Sequence, residues 1–166
     1  PTPLTTGRQP LMESGGNGNG MSIVYNADTA EVDFIIDGGT DSTDNIQVSA
    51  TGIIPGEFNQ LIAVYDKDSP TVEDTLTLYL NGNPAVPFNG VANATDTNVA
   101  GTTNQFTGSD GSGIGVVNSS EALELSFGLP GFPPSVTGPF LGQISIVRVY
   151  DRKLSAVEFE ANFDAI

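Results

Sequence analysis

The sequence predicts an all-β fold, and three observations carry that prediction. Twenty glycines and 11 prolines among 166 residues, with 38% hydrophobic content, suit many short strands joined by turns rather than long helices. Runs of β-branched and aromatic residues recur between clusters of turn-forming residues along the chain. In residues 75–81, Leu76, Leu78 and Leu80 alternate with Thr75, Thr77 and Tyr79, which marks one face for burial.

The elements follow in order. Residues 1–8 read as a linker or an ordered arm, because Pro1 and Pro3 disfavour regular structure, and residues 9–166 as one domain. A domain of this length buries roughly two-thirds of its surface on folding. Strands are expected near residues 9–13, 21–26, 30–36 and 45–50. The next two, near 58–66 and 75–81, form a central hairpin. Asn81 and Gly82 follow it at a turn that needs positive φ. Later strands are expected near 113–117, 123–127 and 143–150. Two stretches break the rhythm: residues 88–110 are rich in Asn, Thr, Ala and Gly, and residues 128–139 carry four prolines. Long loops on a rigid scaffold are a usual place for binding and equally a cover for sheet edges.

The end of the chain switches hydrophobic period within a few residues. Gln143 to Tyr150 reads as a strand, and from Ser155 a short helix begins. Ser155 and Glu158 have the spacing of a capping box, in which hydroxyl and carboxylate each take the other residue's backbone N–H.

Three segments in one order resemble a known family. They are Leu11-Met-Glu-Ser-Gly-Gly-Asn-Gly-Asn-Gly-Met-Ser-Ile23; then Gly56-Glu-Phe-Asn-Gln-Leu-Ile-Ala-Val-Tyr-Asp66 with Leu76-Thr-Leu-Tyr-Leu-Asn-Gly82; then Gly142-Gln-Ile-Ser-Ile-Val-Arg-Val-Tyr-Asp-Arg-Lys-Leu-Ser-Ala-Val-Glu158. This series is similar to laminin-G-like jelly rolls of the concanavalin A-like superfamily. Phe58 stands where that family usually has Trp. The resemblance implies an antiparallel β-sandwich with one short C-terminal helix. It also implies further N-terminal strands ahead of Glu13-Ser-Gly-Gly16, which the framework here lacks.

Composition narrows the chemistry. With no His and no Cys, the Ser-His-Asp triad, His-based zinc sites, thiolate sites and disulfides are all excluded. A net charge of −15 disfavours nucleic acid and anionic lipid as partners. No run approaches the roughly twenty apolar residues of a membrane-spanning helix, so membrane insertion of that kind is not expected.

Glu31-Val-Asp-Phe-Ile-Ile-Asp37 invites comparison with jelly-roll glycosidases, whose two carboxylates must flank the scissile bond from one sheet face. The positions for the second Glu hold Ile35 and Ile36, and Asp37 falls late. Arg148 and Tyr150 share a strand face, where Arg148 is expected to reach an acidic neighbour. Gly15-Gly-Asn-Gly-Asn-Gly20 lacks the Lys-Ser/Thr of a phosphate loop. The sequons at Asn93 and Asn118 arise easily in so Asn- and Thr-rich a chain.

Calcium is the more plausible ligand. Asp37, Asp41 and Asp44 lie in one loop, and Asp66 and Asp68 face Glu73 and Asp74 across the hairpin connection. Ca²⁺ takes six to eight oxygens, and such loops supply carboxylates and carbonyls together. Solvated turn carboxylates explain the same residues.

The sequence reads as a non-enzymatic recognition or adhesion module, extracellular or at the cell surface, and most of all as a binder of carbohydrate. The alternative is a structural subunit of a surface layer, filament or other extracellular assembly. The partners are then a glycan or neighbouring protein subunits in a homo- or hetero-oligomeric assembly. Few aromatics are available for sugar stacking: Tyr25, Tyr65, Tyr79 and Tyr150 all fall in expected strands.

Overall fold

The computed structural model describes residues 7–16, 19–38, 46–66, 75–81, 83–84, 94–95, 112–115, 139–155, 157–158 and 161–162. Among them the chain is mostly β, its strands pair antiparallel, and it contains almost no helix.

One sheet has five strands: β1 (Arg8–Gly16), β2 (Asn19–Asn26), β3 (Glu31–Gly38), β4 (Ile46–Thr51) and β9 (Ser112–Ile114). Its order is β4-β3-β2-β1-β9, so four strands consecutive in sequence form a meander and β9 closes against β1. The second sheet holds β5 (Leu61–Asp66), β6 (Thr75–Leu80) and β7 (Asn83–Pro84) in that order, with β8 (Ala94–Thr95) also on β6.

Local chemistry explains the joints. Register shifts between Pro10 and Met12 where β1 meets β2, and Pro10 can sit within the strand because such an irregularity relieves the ladder of its missing N–H. Asn26 Oδ1 accepts from the Asp28 backbone N–H at 3.1 Å, which starts the turn into β3. Asn81 has φ 52°, the left-handed region that a tight turn between Leu80 and its cross-strand partner Asn83 requires.

The expected hairpin is present, with Leu61 opposite Leu80 and Asp66 opposite Thr75. Its first strand begins three residues later than expected, at Leu61. The residues before it are used otherwise. Glu57 N–H donates to the Ile54 carbonyl at 3.2 Å around Pro55 and Gly56, the latter at φ 85°. Asn59 Nδ2 donates to the Ile54 and Glu57 carbonyls, both at 3.1 Å. Asn81 Oδ1 takes the Gln60 N–H at 2.8 Å, and the Gln60 carbonyl takes the Asn81 N–H at 2.9 Å. Phe58, expected in the strand, is left exposed.

The two sheets share one apolar cluster. From the first come Met21, Tyr25, Val32, Phe34, Ile36, Val48 and Ala50; from the second come Leu76, Leu78 and Leu80. The leucine face expected of residues 75–81 is therefore the buried one. β3 is buried on both sides, since Asp33 and Ile35 on its other face are also inaccessible. That explains why it reads as a nearly unbroken apolar run.

The closing strand does not form. Residues 143–150 lie outside every strand, and Ile144, Val147 and Val149, expected to pack in the sheet, are 39%, 42% and 62% exposed. A β-branched run records the capacity to pair. Pairing also needs a neighbour to take its N–H and C=O groups, and no described strand takes that place. Just beyond, Leu154 does dock: it is buried against Val64, with Ile62 and Tyr79 alongside. Helical residues follow at 157–158 and 161–162. Apart from β8, the long stretch 88–110 lies outside the described residues, as do the expected strand at 123–127, the stretch 128–138, Asn93, the sequon at Asn118 and Phe159. So does most of the 1–8 arm, of which Arg8 belongs to β1.

Candidate functional site

Period-two geometry puts Glu31 and Asp33 on the face of the five-stranded sheet opposite the shared core. They do not form an open carboxylate pair. Thr29 donates its hydroxyl to Glu31 Oε2 at 3.3 Å in an exposed turn. Asp33 is 2% exposed and fully engaged: Arg8 Nη1 meets Oδ2 at 2.6 Å, while Ser49 Oγ and Gln47 Nε2 donate to Oδ1 at 2.6 and 3.1 Å. Arg8 itself is 3% exposed. Glu13, Ser22 and Ser49 are buried on the same face. Three strands thus converge on one carboxylate, and the arrangement orders the sheet rather than presenting a reacting group. Sequence reasoning missed Arg8, Gln47 and Ser49. The available signal was Asp33 itself, a carboxylate set in an apolar run that must find a cation once buried.

Two of the calcium candidates, Asp37 and Asp66, lie among the described residues. Asp37 lies in β3 opposite Gly20, on one sheet, and Asp66 ends β5 on the other. Asp66 Oδ2 is taken by Lys153 Nζ at 2.6 Å. Asp41, Asp44, Asp68, Glu73 and Asp74 lie outside the described residues. No group of three or more carboxylates able to hold a metal ion occurs among those described.

The tyrosines divide as their strands do. Tyr25 is 3% exposed and meets Phe140 edge-on at 6.5 Å between ring centres; burial raises its pKa. Tyr65 and Tyr79 pack against the apolar clusters. Tyr150 is 44% exposed.

That leaves the segment 141–150 as the prominent surface feature. Leu141, Ile144, Ile146, Val147, Val149 and Tyr150 are each between 39% and 62% exposed, a concentration of apolar side chains that an isolated surface does not need. Both ends are fixed. Phe140 donates its N–H to the Gly115 carbonyl at 2.8 Å, and Leu141 donates to Gln9 Oε1 at 3.0 Å. A Cβ on Gly142 would come within 2.3 Å of the Phe140 ring, so a larger residue there would displace that ring. At the far end Lys153 holds Asp66 and Leu154 packs on Val64. Arg148 finds an amide rather than the expected carboxylate: its Nη1 donates to Asn162 Oδ1 at 2.8 Å, and Asn162 Nδ2 donates to the Tyr150 hydroxyl at 3.4 Å. The two-residue spacing does place Arg148 and Tyr150 on one side, where both hold Asn162. Searches against protein-family models, curated proteins and solved structures find no match.

The helix start is built as the sequence expects. Ser155 N–H donates to Glu158 Oε2 at 2.7 Å, and Glu158 N–H donates to Ser155 Oγ at 3.4 Å. Arg152 adds a two-pronged contact to the same carboxylate at 2.6 and 3.1 Å. The Arg152 guanidinium, with the Ser155 donors, lowers the Glu158 carboxyl from 4.5 to about 2. A lowered folded-state pKa stabilises fully above the ordinary value and is lost as pH falls through the folded one. The capped turn is therefore expected to loosen between pH 4.5 and about 2. In an NMR titration Glu158 should show its midpoint near the lower value, and Arg152→Ala should move it up. A midpoint at the ordinary carboxylate value in the unaltered chain would refute the cap as described.

Proposed function

We propose that this chain is a non-enzymatic structural module of an extracellular or cell-surface assembly, a jelly-roll sandwich similar to laminin-G-like domains that works by protein–protein contact. The observation that carries this reading is the exposed apolar segment 141–150, fixed at both ends on the body. Monomer surfaces rarely keep so continuous an apolar run unless something covers it. The engagement of Asp33 and the burial or packing of three of four tyrosines support this reading over a glycosidase or a lectin face.

The test is a glycan array with and without Ca²⁺, run beside a polysaccharide-degradation assay. Neither saturable binding nor degradation is expected. Saturable glycan binding would replace assembly with lectin activity. Degradation abolished by Glu31→Gln would replace it with catalysis. Millimolar Ca²⁺ against a chelator completes the set: a ligand of the native state raises Tm by mass action, and a clear rise would assign the acidic loops as a metal site.

A further inference from the structure

We infer that residues 148–155, with the helical residues at 157–158 and 161–162, form a latch: a self-contained unit that seats Leu154 on the outer face of β5 and β6 and comes off without the sheets unfolding. The inference goes beyond the assembly reading and does not depend on it.

Strand geometry sets the seat. Side chains alternate along β5, so Leu61, Ala63 and Tyr65 join the shared core while Ile62, Val64 and Asp66 belong to the other face. Leu154 is buried against Val64, beside Ile62 and Tyr79, and Lys153 Nζ reaches Asp66 Oδ2 at 2.6 Å, two residues along the same face. This cluster is separate from the one between the sheets. Among the described residues beyond Phe140, Leu154 is the one that is buried.

The unit holds its own shape. Arg148 Nη1 donates to Asn162 Oδ1 at 2.8 Å and Asn162 Nδ2 donates to the Tyr150 hydroxyl at 3.4 Å, contacts that span 14 and 12 positions. Arg152 and the Ser155 backbone N–H both bond to the Glu158 carboxylate. These bonds lie inside the unit, so leaving the body does not break them. Phe140 stays packed against the shared core with its N–H on the Gly115 carbonyl, and it is the pivot.

Magnitudes favour separate release. The core between the sheets holds ten buried residues, whereas the latch rests on one buried leucine and one ion pair whose side chains are 60% and 34% exposed. A pair so open to water is weak and is screened by salt. Regions with few buried apolar contacts open at a fraction of the free energy of global unfolding. Release uncovers Val64 on β5, an edge of its sheet in the described strand order. Proteins shield such edges with a covering loop, which keeps other chains from pairing there. The latch is therefore an autoinhibitory contact: seated, it closes the outer face of β5, and released, it opens that face with both sheets intact.

The chain has no cysteine, so a single introduced thiol reports its own exposure. Val64→Cys puts it beneath Leu154, and Val48→Cys, the same substitution, puts it in the shared core. With a chromogenic aromatic disulfide in excess, the thiol at 64 should react at least about tenfold faster than the thiol at 48. Its rate should be almost flat in low urea, because little surface is exposed on release, while the rate at 48 climbs steeply. In the Val64→Cys chain, Lys153→Ala should speed labelling about twofold to fivefold, the worth of one exposed pair, and Leu154→Ala more than about tenfold. On the unaltered chain, methyl NMR should show Leu154 exchanging with a minor state while Leu76 and Leu78 do not, a reading that needs no variant to fold.

Equal rates with equal urea dependence at 64 and 48 overturn the inference, since Leu154 then leaves only when the whole chain unfolds. So does a Leu154 methyl that shows no exchange, or shows it only together with Leu76 and Leu78. Fast labelling at 64 that Leu154→Ala leaves unchanged also overturns it, because the reagent then reaches Val64 with the latch closed.

Discussion

Asp33→Ala is expected to destabilise the chain by about 3–5 kcal/mol, the cost of breaking a buried ion pair by removing one partner. The carboxylate accepts from Arg8, Ser49 and Gln47 in a site where Arg8 and Asp33 side chains are 4% and 3% exposed. Its removal takes away the negative charge held against the buried guanidinium and three hydrogen bonds at once. Joint replacement, Arg8→Met with Asp33→Leu, should recover most of the loss, because a well-packed apolar pair of similar volume replaces a buried ion pair at little cost. Urea unfolding measures both. A loss below about 1 kcal/mol for Asp33→Ala, the scale of a surface pair, would mean that water reaches the pair and that this face is not closed.

Phe34→Ala should cost a similar amount, about 3–5 kcal/mol, by a different route. Phe34 is inaccessible to solvent and lies opposite Ile23 on one side and Val48 on the other. It belongs to the cluster that also holds Leu76, Leu78 and Leu80, so the cavity opens where the two sheets meet. A domain of this size has roughly 5–15 kcal/mol of stability in all. Either substitution therefore consumes a large share, and Tm should fall by about 2–4 °C for each kcal/mol lost. A Phe34→Ala chain that unfolds at the same urea concentration as the parent would show that Phe34 does not hold the sheets together.

The strands of the first half were legible because each carries its own evidence. The leucines of β6, the Asn81 turn and the Ser155–Glu158 cap are local patterns whose physics acts within a few residues. What sequence alone could not supply was partnership. Gln143 to Tyr150 has the composition of a strand, but its neighbour is a matter of tertiary arrangement that no local pattern records. Arg8 and Asp33 stand 25 positions apart, and only the pairing of β1, β2 and β3 brings them together. The same limit applies at the hairpin connection, where Asp66 meets Lys153 from 87 positions away, a contact that no local pattern records.

The anchoring of the exposed segment also bears on its entropy. A free tail that becomes a strand must surrender about 1–2 kcal/mol of backbone freedom per residue. Here Phe140 at one end and Leu154 at the other already fix both ends of the 13 residues between them, Leu141 to Lys153, on the body. Part of the ordering cost has been met in folding, so docking begins from a restricted ensemble. The same two anchors limit how far the segment can slide along an acceptor, which fixes register before any side chain is read.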